Sequence, residues 1–369
     1  MRFAGLNTFR AIVMSIAALL CGGALSRAAA NPETARTPDA VLGDRIAKAV
    51  LSDGRLWLLG RGPNALGGLV SFQPDGKDRQ VQFESDVLDV ERVGCSLWAL
   101  RLPSGKTRTA VLSRWHDGKF IDRGEFRWDE GDGPVAILSK AGDPAVLGAH
   151  SLRVLTQPGD AWVERRIQST NEWGVQVPVA ISGNGNDVYV GLNKGEWGGG
   201  LIRVDLSTGH ATKVERRDSK DLCAGPLNAD CDPVTGIIPD AQKPECVLVS
   251  IGLAHMMDTG RVLRVCGSTV ETVFEKAIEG AVGHQTEPVF GVAPAPHGGL
   301  WAVTNRGVYQ INGETIVAHK MPAFPKGSGL ILSRDVPGVL LLLTDVNWAV
   351  SVSGYTPLIV PLDESECPN

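Results

Sequence analysis

The stretch GGLWAVTNRGVYQING, residues 298–313, holds two short apolar runs separated by a tight Asn-Arg turn. Both runs are built from residues that favour extended backbone, and glycine or asparagine bounds each of them, so the stretch reads as a β-hairpin. VFGVA before it (289–293) and ETIVAH after it (314–319) complete a four-stranded unit. The same order recurs along the chain. KAVLS, RLWLLG, GGLVSF and RQVQF follow one another over residues 48–83. VPVAIS, DVYVGL, GLIRVD and HATKVE do so over 177–215, with NKGEWGG as the middle loop. Seven units align, and their second strands carry Trp57, Trp98, Ala145, Tyr189, Leu248, Trp301 and Leu340 at intervals of about forty to sixty residues.

A period of that length with four strands per unit points to an all-β fold, a seven-bladed β-propeller of four-stranded antiparallel blades. A lone unit would leave both of its faces wet, and radial packing covers each sheet with the next. The weakly patterned third unit, residues 134–155, leaves six blades as the alternative. GGLWAVTNRGVYQING resembles the GxLWxxTxxGxY blade of two-component-regulator-type propellers, and DVYVGLNKGEWGGGLIRVDLSTG (187–209) resembles the YVTN-type blade. Each resemblance covers one blade, implies architecture, and brings no catalytic residues with it. The propeller is expected over 41–364, with a polar lead at 31–40 and a tail at 365–369. Pairing of strands from the two ends of the domain is the expected means of closure.

The composition agrees with many short strands. Of 369 residues, 43% are hydrophobic, 21% charged and 6% aromatic, with 44 glycines and 22 prolines, which excludes a coiled coil, a disordered chain and a multi-span membrane protein. The formal charge of -5 disfavours nucleic acid, whose binding rests on Lys and Arg meeting phosphate. Residues 1–30 have the form of a cleaved secretory signal: Arg2 and Arg10, an uncharged apolar run over 11–25, then Ala28, Ala29 and Ala30. The run is too short to span a bilayer. Leu20 before Cys21 argues against a lipid anchor. The expected location is therefore periplasmic or extracellular.

Export makes disulfides the default for the six remaining cysteines. Cys246 and Cys266 end two strand-like runs around a polar turn and fall nearly opposite each other, so they are expected to pair. Cys223 with Cys231 would pin a loop, and Cys95 with Cys367 follows by elimination. The competing reading, a zinc site made of Cys223, Cys231, Cys246 and Cys266, lacks close CxxC spacing.

In a propeller, the loops joining second to third strands share a face with the connections between blades, and ligands usually bind there. His116, His210 and His297 fall at or beside the opposite turns. On the candidate face, the fourth to sixth units contribute Glu172, Trp173, Asn193, Glu196, Trp197, His255 and His284 as expected ligand-binding residues. The long connection over 216–233 is a wall or lid beside them. Glycines flanking Glu196 and Trp197 permit close approach of a ligand, with a glycine-rich bulge as the structural alternative. No HExxH, GxSxG or P-loop is present. The expectation is thus a binding module for a small polar ligand, glycan or protein, with no cofactor required. The alternative is a hydrolase or lyase of the gluconolactonase-like propeller kind. It would hold Ca2+ through Glu172, Asn193 and Glu287, with His284 and Glu287 as catalytic candidates and His284 as base.

Overall fold

The structure, a computed structural model, describes residues 37–43, 46–61, 66–140, 142–156, 161–168, 180–183, 185–221, 223–254, 258–322, 330–345 and 355–362. These residues form an all-β fold of several antiparallel sheets. The first sheet comprises β1 (Ile46–Ser52), β2 (Arg55–Gly60), β3 (Gly67–Phe72), β4 (Gln80–Val93), β5 (Ser96–Arg101), β6 (Thr109–His116) and β7 (Lys119–Arg127). Four four-stranded sheets follow. They are β8 (Pro134–Lys140), β9 (Asp143–Gly148), β10 (Ser151–Thr156) and β11 (Ala161–Arg166); then β12 (Ala180–Gly183), β13 (Asp187–Asn193), β14 (Gly199–Asp205) and β15 (His210–Val214). After these come β16 (Val234–Pro239), β17 (Val247–Leu253), β18 (Thr259–Cys266) and β19 (Thr269–Phe274); then β20 (Val289–Pro294), β21 (Leu300–Thr304), β22 (Gly307–Asn312) and β23 (Thr315–Lys320). A sheet of β24 (Ile331–Ser333), β25 (Val339–Asp345) and β26 (Tyr355–Pro361) ends the series.

The seven-stranded sheet is two repeat units sharing one strand. The first half of β4 pairs with β3, from Ser71 opposite Gln80 to Gly67 opposite Val87, and the second half pairs with β5, from Val87 opposite Arg101 to Val93 opposite Ser96. The chain passes from one unit to the next with no loop, turning at Asp86, whose φ of 68° is left-handed. The weak third unit is a complete four-stranded sheet all the same, β8 to β11.

The seven aligned second-strand residues are all buried, each on the second strand of its unit. Trp57 shows why the position wants a large apolar group. Its ring is fully buried, meets Trp115 edge-on at 4.6 Å and Phe120 at 5.6 Å, and its Nε1 donates to the Ser52 carbonyl at 3.1 Å. An aromatic body with a satisfied polar tip carries much apolar area at no hydrogen-bond cost.

The first strand of each unit packs against the first strand of the next: β1 on β4, β4 on β8, β8 on β12, β12 on β16, and β16 on β20. Five of these strands carry a register shift in their pairing with the second strand, as at Val87/Asp89 and Val234/Gly236. Such bulges re-aim side chains and bend the strand. Here the re-aimed groups bridge strands: Asp89 accepts from Lys48 Nζ at 3.0 Å and from the Ile137 amide at 2.8 Å, and Thr235 Oγ1 donates to the Val289 carbonyl at 2.6 Å. Burial pushes the Lys48 ammonium down, but Asp89 and Glu91, the latter at 2.6 Å, outweigh it and raise its pKa.

The last sheet departs from expectation. Its final strand, β26, occupies the place that first strands occupy elsewhere, against β20 on one side and β1 on the other. Leu332 of β24 lies instead beside Gly76, in the β3–β4 turn. Among the described residues no strand from the start of the chain hydrogen-bonds to one from its end; β1 and β26 meet through packing. A short helix, α1 (Pro38–Leu42), capped by Thr37 Oγ1, buries Val41 and Leu42 over the bare backbone of Gly60 and Gly68, where a Cβ would collide with them.

Candidate functional site

Chain geometry places the GEWGGG loop against the long connection that follows β15. Gly195–Trp197 form a single 3-10 turn, begun by Asn193, whose Oδ1 accepts from the Gly195 amide at 2.9 Å. The next residues dock: the Gly199 amide donates to the Ala229 carbonyl and the Gly200 amide to the Asp232 carbonyl, each at 2.9 Å. The glycines permit this contact. A Cβ on Gly198, at φ 74°, would lie 2.3 Å from the Ala229 carbonyl oxygen, and one on Gly200, at φ 82°, would lie 2.5 Å from the Ala229 Cβ. Their close approach is thus to the protein's own backbone, so the structural alternative explains them. Trp197, 75% exposed, is left projecting from the loop.

The docked connection is itself firmly held. Cys223 pairs with Cys231, and Arg216, just past β15, forms an antiparallel bridge with Leu227 inside the loop that the disulfide closes. Arg217 reaches Glu215 at 3.0 Å and Asp230 at 2.7 Å, while Glu215 also accepts from the Ala229 amide at 3.2 Å. Burial alone would raise the Glu215 carboxyl, but Arg217, Lys213 and that amide outweigh it and hold it below its ordinary value. Asp230 is lowered by the Arg217 guanidinium. Beneath, Arg261 of β18 donates to the Pro226 carbonyl at 2.8 Å and to Asp232 at 2.6 Å. Burial raises the Asp232 carboxyl in spite of that partner.

The connection between β19 and β20 folds onto the β17–β18 loop. The Thr286 amide donates to the Asp258 carbonyl, and Thr286 Oγ1 accepts from the Gly260 amide at 2.8 Å. His284 is exposed here. Glu287 is buried, and one carboxylate oxygen, Oε2, accepts from Thr304 Oγ1 and Tyr309 OH, both at 2.8 Å. Burial, then the Glu287 bond, raises the Tyr309 phenol. This carboxylate ties β21 and β22 to the connection. Among the described residues no group of three or more His, Cys, Asp and Glu side chains is placed to hold a metal ion.

No protein-family model and no curated protein matches the sequence. Among solved structures, the chain is similar to YCF48 bound to D1 peptide, with a TM-score of 0.50 and 10% identity over 88% of this chain and 94% of that one. It also aligns with the extracellular domain of the two component system BT4673 from B. thetaiotaomicron, at a TM-score of 0.47 and 14% identity over 85% of this chain, which spans 38% of that chain's length. The GH74 xyloglucanase from Xanthomonas campestris aligns at 0.49 and 14%, over 83% of this chain and 52% of that one. The fold is a β-propeller. Identities of this order carry the fold alone.

Two propeller loops foreseen to share a face, that of Asn193, Glu196 and Trp197 and the connection with Cys223 and Cys231, are hydrogen-bonded together. His284 lies in the next connection along. Glu172, Trp173 and His255 lie outside the described residues. Both of the better-supported disulfide expectations hold: Cys223–Cys231, and Cys246–Cys266 flanking the directly opposed pair Val247 and Val265. Cys95 is disulfide-bonded, and Cys367 lies outside the described residues. Arg217 and Asp230 were missed by sequence reasoning. Their one signal was the high share of charged residues in a connection that a disulfide holds fast.

Proposed function

We propose that this chain is an exported, seven-bladed propeller that binds a ligand or protein partner through the loop face of its fourth to sixth blades. Seven blades follow if the sheet spanning β1 to β7 is counted as two, sharing β4, and if β26 completes a circuit from β20 back to β1; the packing of successive first strands supports this count. The form of residues 1–30 and the disulfides Cys223–Cys231 and Cys246–Cys266 support export. No helix among the described residues is long and apolar enough to cross a membrane.

Trp197 carries the binding reading. A large aromatic left three-quarters exposed, on a turn pinned by backbone hydrogen bonds to a disulfide-closed connection, gives the fold nothing by its burial. Rigid exposed aromatics are what binding surfaces use as anchors, because little side-chain freedom is lost on contact. The bound peptide of YCF48 is a property of that protein, and the partner here is proposed from Trp197 alone. The test is affinity capture with the oxidised mature protein beside Trp197→Ala and Glu196→Ala, all three shown to be folded by circular dichroism. Loss of a partner in either variant supports the site; retention of every partner by both overturns it.

A further inference from the structure

We infer that Trp197, with Asp230 and Arg217, forms a subsite for a neutral carbohydrate; this rests on the loop-face binding reading and names its ligand class. The residue after Trp197 touches Asp230: a Cβ on Gly198 would lie 2.4 Å from the Asp230 carbonyl carbon. The Asp230 carboxylate is held by Arg217 at 2.7 Å, with side chains 56% and 35% exposed, so both present free hydrogen-bonding capacity at the surface. Asn193, at the start of the same turn, adds an amide. The exposed aromatic therefore ends a turn whose next residue packs on the backbone of Asp230, the residue whose carboxylate Arg217 holds.

Area and charge select the ligand. The other large exposed apolar residues among the described ones are Val163, Val282, Ile316 and Val317, none of them on this loop or on the docked connection. A stable protein interface buries roughly 1,200–2,000 Å² around a clustered apolar centre, whereas one tryptophan offers about 150–250 Å². That is the scale of a single ring-sized group. Lys194, Lys213 and Arg217 balance Glu196, Glu215 and Asp230, so no net formal charge selects an ion. A pyranose meets all these terms. It has one face of C–H groups, weakly positive, to lay on the negative face of an indole. Around its edge are hydroxyls that both donate and accept, as a carboxylate–guanidinium pair requires.

The experiment applies the oxidised, full mature chain to an array of neutral microbial, plant and animal glycans, in parallel with Trp197→Ala, Trp197→Phe and Asp230→Asn. The expected result is retention of a subset of glycans, with Trp197→Ala lowering affinity by about tenfold or more, the usual cost of losing an anchor. Trp197→Phe retains part of the binding, and Asp230→Asn weakens it while the intrinsic melting stays within a few degrees of wild type. A blank array, or glycan binding equal in wild type and Trp197→Ala, overturns the inference. A protein partner lost in Trp197→Ala beside a blank array sinks the carbohydrate class and leaves the loop-face reading standing.

Discussion

The unit pair spanning β1 to β7 and the pair spanning β12 to β19 solve the same packing problem by different means. In the first pair a single strand, β4, serves both units, and an interior cluster of Trp57, Phe83, Trp115 and Phe120 crosses between them, with ring centroids 4.6 to 5.6 Å apart. In the second pair a long connection separates the sheets, and its order comes from a disulfide, the Arg217 and Arg261 bridges, and backbone bonds to two consecutive glycines, Gly199 and Gly200. Where the interior suffices, the chain needs no loop. Where the loop is long, cross-links at the surface hold it, and that surface gains the exposed tryptophan.

The comparison breaks first at Trp57. Trp57→Ala should cost about 3–5 kcal/mol, the range for deleting a buried aromatic, read as a fall in the denaturation midpoint; a cost below that of a disulfide would mean that the interior is not what joins the first two units. Next comes Cys246→Ser with Cys266→Ser. Opening a loop with a sequence separation of 20 should cost about 3 kcal/mol in the chain-entropy model, seen in urea unfolding against the oxidised parent. The shorter Cys223–Cys231 loop, separation 8, should cost about 2.5 kcal/mol on the same model, and amide exchange should quicken at 226–232 and 197–200 while staying unchanged in β1 to β7.

Gly198→Ala sharpens the comparison locally. A left-handed residue gaining a Cβ against Ala229 should lose about 1–2 kcal/mol, and protection of the Gly199 and Gly200 amides should fall with it. Acid acts on the same place. The Glu215 and Asp230 carboxyls are both lowered in the folded state, so their contribution is present above the ordinary carboxylate range and lost as pH falls below about 4. Asp232, raised, runs the other way: its contribution is present in acid and lost as pH rises through its folded value. Loosening of 226–232 on acidification therefore belongs to the Arg217 set, and Asp230→Asn should flatten it. Smallest of all is the effect of Trp197→Ala on stability, within about 0.5 kcal/mol for an exposed site. A larger loss in thermal melting would mean that the ring serves the fold.

The repeat was legible because each unit buries an apolar side chain at the same place, a large aromatic in four of them. Trp57, Trp98, Tyr189, Trp301 and even the small Ala145 identified second strands that the structure confirms as buried. Cys246 and Cys266 were legible from strand periodicity alone. Other features were not, each because it depends on partners distant in the chain. Nothing local at residues 84–88 distinguishes a strand that runs on through Asp86 from a polar loop. Glu287 reads as a metal-ligating or catalytic candidate until Thr304 and Tyr309 are seen to donate to it in the interior. The glycines around Trp197 read as room for a ligand, and only the docked Ala229 shows what fills that room.

The position of β26 bears on how the molecule comes into being. Synthesis delivers residues in order, and β26, the last strand among the described residues, lies in contact with β20 and with β1, the first of them. Until it emerges from the ribosome, those two strands each lack that neighbour, so the packing of β1 and β20 is completed only once synthesis has reached residue 361.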